Sequence, residues 1–218
     1  MSHALSVSSL DSGTDHSVGS VSTASVSADQ GALLVLWIAL SVSGGSSVAG
    51  VSGITGLTWS QQAVQGDGGS VASIECWTAS VPAGGVSGSA TASFSGGVDA
   101  CNYDLDVVAH AAYFTPLVGS NVQKNFGNAG PSSSLTFNAP ADSANLFLFG
   151  CEIQVNTGQS ADETVPWTVL ASPHQGVVRN LGLATQVSPD VSATSASSTW
   201  TSGGSQRWAA IGLELVAC

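Results

Sequence analysis

Apolar residues in this chain come in short uninterrupted runs, set between stretches in which serine, glycine and valine alternate. The strongest run is Gly31 to Leu40, GALLVLWIAL, without a single charge. At roughly ten residues it falls short of the ~20 that span a bilayer as a helix. The residues before it contain no Lys or Arg, so it lacks the positive approach of an export signal. The pattern predicts a strand buried on both faces at the centre of a β-sandwich.

The remaining windows follow the same logic. Residues 1–30 alternate small polar and apolar types (Leu5, Val7; Val18, Val21; Ala24, Val26) and read as an arm or as one or two edge strands. Ser43 to Gly53 reads as a loop, and ITGLTWSQQAV as a strand with Leu57, Trp59 and Gln61 on one face. Gly66 to Gly69 turns the chain into SVASIECWTASV, and Pro82 to Gly88 turns it again into SATASFS. A break at Gly96-Gly97 precedes NYDLDVVAHAAYF, which ends at Pro116. Asn121 to Ser132 reads as a loop carrying the only lysine, and SSLTFNAP and the apolar NLFLFGCEIQV follow. WTVLAS, VRNLGLATQV, SSTWTS and RWAAIGLELVA complete about ten strands, with no window of helical period.

The expected fold is therefore all-β: a two-sheet antiparallel sandwich, jelly-roll-like first and immunoglobulin-like second, over 31–218 with the arm before it. No internal repeat at a fixed period stands out, which argues against propellers and solenoids.

Composition narrows the partners. Three basic residues (Lys124, Arg179, Arg207) stand against fourteen carboxylates, for a formal charge of -11. That leaves no basic stripe for phosphates and none for an anionic membrane surface. Charged residues make up 8% of the chain, far below the ~25% of an ordinary soluble domain, so hydroxyls and backbone must wet the surface. Cys76, Cys101, Cys151 and Cys218 show no CxxC spacing. Paired as disulfides they allow three connectivities; unpaired, Cys76 and Cys151 read as small buried hydrophobes.

The best chemical constellation is Asp104, Asp106 and His110 in NYDLDVVAH, which share one face of a strand at a spacing suited to a metal or an acid–base pair. Its competitor is two carboxylates that simply solvate an outer face. No nucleophile elbow, SxxK, HExxH, P-loop or GxGxxG occurs, and His3, His16 and His174 have no recognisable partner. No catalytic residue or cofactor is expected, and the chain reads as a non-enzyme. Of six tryptophans, Trp200 and Trp208 flank the polar TSGGSQ and are the ones expected to offer an exposed sugar-stacking platform.

The succession of LLVLW, SGITGLTW, ECWTA and a late apolar strand resembles Ser/Gly-rich jelly rolls found in capsid decoration (cement) proteins of tailed bacteriophages. That resemblance covers most of 31–217 and rests on packing motifs. It implies a virion protein made in the host cytoplasm and bound to the capsid exterior. Its partners would be the major capsid protein and copies of itself, three gathered at a local three-fold. Strand addition by the arm, through Leu5, Val7, Val18, Val21 and Val26, would supply the contact. An extracellular carbohydrate-binding or adhesion module, with polysaccharide as partner, is the alternative.

Overall fold

The structure is a computed structural model that describes residues 5–41, 46–69, 71–110, 117–128, 132–140, 142, 144–154, 161–163, 167–176, 181–188, 192, 194–200 and 206–216, without the side chains of His110, Leu117, residues 161–163 and Trp200. Its strands in the first half of the chain are β1 (Leu5–Ser22), β2 (Val26–Ala28), β3 (Leu33–Ser41), β4 (Val48–Gly53), β5 (Ser60–Gly66), β6 (Ala72–Ser80), β7 (Val86–Gly88) and β8 (Ala90–His110). Those of the second are β9 (Leu117–Gly127), β10 (Ser132–Thr136), β11 (Leu146–Gln154), β12 (Ala161–Glu163), β13 (Thr168–Ala171), β14 (His174–Gln175), β15 (Leu181–Ser188), β16 (Ser195–Trp200) and β17 (Trp208–Val216). No helix forms among the described residues.

All pairings are antiparallel, in two large sheets of order β1-β8-β3-β6-β5 and β13-β15-β11-β17-β9. They face each other across a core to which Val35, Trp37, Ile74 and Val108 come from the first sheet and Leu148, Leu183, Ile211 and Leu213 from the second. The outer face of the first sheet is covered in turn. Val21, Val48, Ile54, Ala90 and Ala92 pack there on Leu34, Leu36, Ile38 and Leu40. The second is covered by Leu135, Phe137, Trp167 and Ala196 on Phe147 and Phe149. This double cover is why all of β3, and β11 up to Ile153, is buried at both parities: a strand with apolar layers on both sides loses the alternation of a one-sided sheet.

Several sequence expectations change. The double glycine 96-97 lies inside β8, where register with β1 jumps from Val18↔Val98 to Ser20↔Ser93. The slack lets the first part of β8 fold back as cover, together with β4, which occupies part of the stretch expected to be a loop. The Asn121–Ser132 stretch is mostly strand: β9 pairs with β17 at the sheet edge, where polar side chains meet water and leave no apolar period to read. Seventeen strand segments are described rather than about ten. Nor does the chain wind alternately between the large sheets as a jelly roll does; each sheet is drawn from one half of the chain.

Most consequential, the chain does repeat. Taking β1, β8, β3, β6 and β5 to β9, β17, β11, β15 and β13 reproduces the strand order of one sheet in the other. Finer marks coincide. The β5–β6 ladder slips between Gln61 and Ala63, and the β13–β15 ladder between Val169 and Ala171. Trp59 precedes one edge strand and Trp167 the other. The same turn, Ala32 N–H to Asp29 C=O at 3.2 Å and Asn145 N–H to Asp142 C=O at 3.3 Å, leads into β3 and β11. The cover is repeated too, as β10-β16-β12 matches the end of β1, the start of β8, and β4. The offset between equivalent residues varies from strand to strand, so no fixed period exists for a sequence scan to find.

Candidate functional site

From Ala100 onward the even-numbered positions of β8 face the other sheet, and three of them in succession are polar: Asn102, Asp104 and Asp106, all with 0% exposure. The two carboxylates therefore do not solvate an outer face; they sit at the centre of the sandwich. Ser9 Oγ of β1 donates to Asp104 Oδ1 at 2.6 Å. Thr185 Oγ1 of β15, on the opposite sheet, donates to Asp104 Oδ2. The indole Nε1 of Trp37 donates to Asp106 Oδ2 at 3.0 Å. Asn102 Nδ2 crosses the same gap to the carbonyls of Leu181 at 2.7 Å and Pro173 at 3.2 Å.

Burial pushes the Asp106 carboxyl well above the usual range, and the neighbouring Asp104 charge adds to the shift against the Trp37 donation. Asp104 is also raised by burial, but its two hydroxyl donors and Asp106 oppose this. The arrangement is an acid pair with unequal partners. Burial raises Asp106 further than Asp104, whose charged form is favoured by the Ser9 and Thr185 hydroxyls. A second buried acid, Glu152 on β11, is likewise driven well above its ordinary range by burial, then by the charge of Asp67. By contrast Glu75 is fully bonded, accepting from Val48 N–H at 2.8 Å, Gln61 Nε2 at 2.6 Å and Trp77 Nε1 at 3.2 Å. It fastens β4 over β6.

Asp104 and Asp106 thus come together; the side chain of His110, four residues further along the strand, lies outside the described residues. The carboxyl pair has the chemistry of a general acid and base; both groups are at 0% exposure, and their described donors Ser9, Trp37 and Thr185 all stand on strands of the two packed sheets.

The other expected sites move inward as well. Leu5, Val21 and Val26 are buried, and Val7 and Val18 half-buried, in the protein's own core. The alternating segment completes its own first sheet, so these side chains are not free for a partner. Trp208 is 6% exposed and rests on Gly127, where an added Cβ would lie 2.7 Å from the indole. It cannot stack on a glycan, and the Trp200 side chain lies outside the described residues. Cys76, Cys101 and Cys151 are buried free thiols; Cys218 lies outside the described residues.

What sequence reasoning missed is Thr185, Ser9 and Trp37 as partners of the acid pair, and a neutral cleft of about 490 Å³ lined by Thr58, Ser60, Gln62, Thr78 and Val118. Within it Gln62 Nε2 donates to Thr78 Oγ1 at 2.7 Å. No local motif marks these residues, which lie on different strands. Comparison with protein-family models, curated proteins and solved structures finds no match to this chain.

Proposed function

We propose that this protein is a non-enzymatic structural subunit, a capsid decoration protein that binds the outer surface of a phage capsid and braces neighbouring capsomers, three copies gathering at a local three-fold. The observation that carries this reading is the free edge of β1. This strand of 18 residues pairs with β8 alone among the described residues. A long open edge is ordinarily blunted by Lys or Pro, because it invites another strand. β1 contains neither; its interruptions are Asp11, Asp15 and two register shifts against β8, at Ser9/Asp11 and Val18/Ser20. Since its apolar side chains belong to the protein's own core, docking here is by backbone: an extended segment of the major capsid protein adds to the outer edge of β1. Many such contacts across a lattice would add up to firm attachment.

The resemblance to cement proteins rests on composition and packing motifs, and the strand order stands apart from it. A second reading, a glycan-binding module, is favoured by the neutral cleft, whose hydroxyls and amide suit a saccharide better than an ion.

The test is cosedimentation with shells assembled from a major capsid protein encoded beside this chain. Ser12 and Thr14 are exposed on β1. The Ser12→Lys/Thr14→Lys variant is expected to melt like the parent and to lose at least tenfold in shell binding. Equal binding by parent and variant would remove β1 from the mechanism. Retention of the parent on a polysaccharide column without shell binding would replace the reading by the second one.

A further inference from the structure

We infer that the chain is a dimer fused into one polypeptide, and that the inner face of each half is an interface that a second copy of this chain can fill by exchanging halves. The argument is independent of the docking reading above. Among the described residues every strand pairing lies within one half: β1 to β8 pair only among themselves, and β9 to β17 only among themselves. The halves are therefore joined by side-chain packing, by side-chain hydrogen bonds such as those of Asp104 and Asn102, and by the single connection across residues 111–116.

The contacts between the halves are reciprocal. β5 packs on β9 and β1 on β13, β6 on β11 and β3 on β15, and β6 on β17 and β8 on β15. Under the strand equivalence each of these couples is one contact made twice. That is the mark of an isologous, two-fold interface. Near such an axis equivalent positions meet, and here they do. Trp37 on β3 stands opposite Cys76 and Asp104 in its sheet, and Gly150 on β11 opposite Thr185 and Ile211 in the other. A Cβ on Gly150 would lie 2.5 Å from the Trp37 ring. The one large side chain at the axis thus fills the space its counterpart leaves empty.

This complementarity decides which halves pair. Two first halves would set Trp37 on Trp37 and offer Asp104 a cysteine in place of the Thr185 hydroxyl. Two second halves would set Gly150 on Gly150, with a hole between. Only unlike halves match, and mass action alone decides whether they come from one chain or two. In a single chain the connection supplies a high effective concentration and favours the closed monomer. An impaired seam reverses that preference when a second chain can restore it.

The experiment co-expresses two full-length chains under different tags. One carries Gly150→Phe and keeps Trp37, so its own seam is overfilled. The other carries Trp37→Gly and keeps Gly150, so its own seam is hollow. Exchange builds one native seam and one reversed seam, both complementary. The expected result is a 1:1 complex, captured through either tag, at twice the monomer mass. Parent chains co-expressed in the same way are expected to give at least tenfold less mixed complex. Absence of the complex while either variant is soluble alone would overturn the proposal. Where both variants aggregate alone, refolding the two together from denaturant provides an independent reading: recovery of the soluble 1:1 complex is expected, and a mixture that yields no mixed complex while the parent refolds would overturn the exchange.

Discussion

At the scale of residues, the acid pair makes stability depend on pH in an unusual sense. In the folded chain Asp106 holds its proton at pH values where an unfolded carboxyl, ordinarily near 3.8, has lost it. The folded state then binds more protons than the unfolded one, so stability falls as pH rises above about 4. Asp104 and Glu152, also raised, act in the same direction. Thermal melts from pH 5 to pH 9 are expected to show a falling midpoint. Asp106→Asn, which keeps the shape of the protonated acid and a donor toward Asp104, is expected to flatten that fall; an unchanged slope would place the pH dependence elsewhere. At Gly150 the prediction is steric. Gly150→Ala places a methyl against the Trp37 ring and is expected to cost about 1–3 kcal/mol in denaturant unfolding. Sequence reading had singled out the two carboxylates because residues two apart share a strand face. It had no means of knowing which face is buried, since β8 is polar at the very positions that turn inward.

Among the elements, the long apolar runs were the most legible. β3, β11 and β17 can be read directly from Leu33–Ser41, Leu146–Gln154 and Trp208–Val216, because burial on both faces leaves continuous apolar sequence. Edge and cover strands were not. β4 and β9 carry glycine, serine and asparagine, and exist because a neighbour offers backbone partners rather than because their own pattern demands a strand. Besides its ladder with β8, β4 is tied down by one buried carboxylate, Glu75. Glu75→Ala leaves the Val48 N–H, the Gln61 amide and the Trp77 indole N–H without that acceptor. The expected loss is about 2–4 kcal/mol, given ~1–3 kcal/mol for each buried donor and partial relief by water. Hydrogen exchange at Val48 is expected to quicken more than at Val35 in β3, and equal rates at both sites would count against this role.

For the whole molecule, the layering puts the described thiols out of reach. Cys76, Cys101 and Cys151 are at 0% exposure, and burial pushes the Cys151 thiol up to about 11, so little thiolate forms at neutral pH. Labelling by a thiol reagent at pH 8 is therefore expected to follow global unfolding, with all three sites reacting at one common rate. Staggered rates would reveal that the layers open separately. The all-β, antiparallel character was readable from periodicity and turn residues. The division into like halves was not, because equivalence survives in strand order, one bulge and one turn, while the residues themselves have diverged: Trp37 corresponds to glycine, Cys76 to threonine and Asp104 to isoleucine.

The Trp37–Gly150 contact has a last consequence, for synthesis rather than stability. A dimer assembled from separate identical chains needs its partners to meet, and its amount falls with the square of dilution. Here ribosomal translation delivers the two unlike faces in equal number on one thread. Closure within one chain therefore does not depend on concentration, only exchange between chains does, and a mutation at the axis can be answered by one in the same gene.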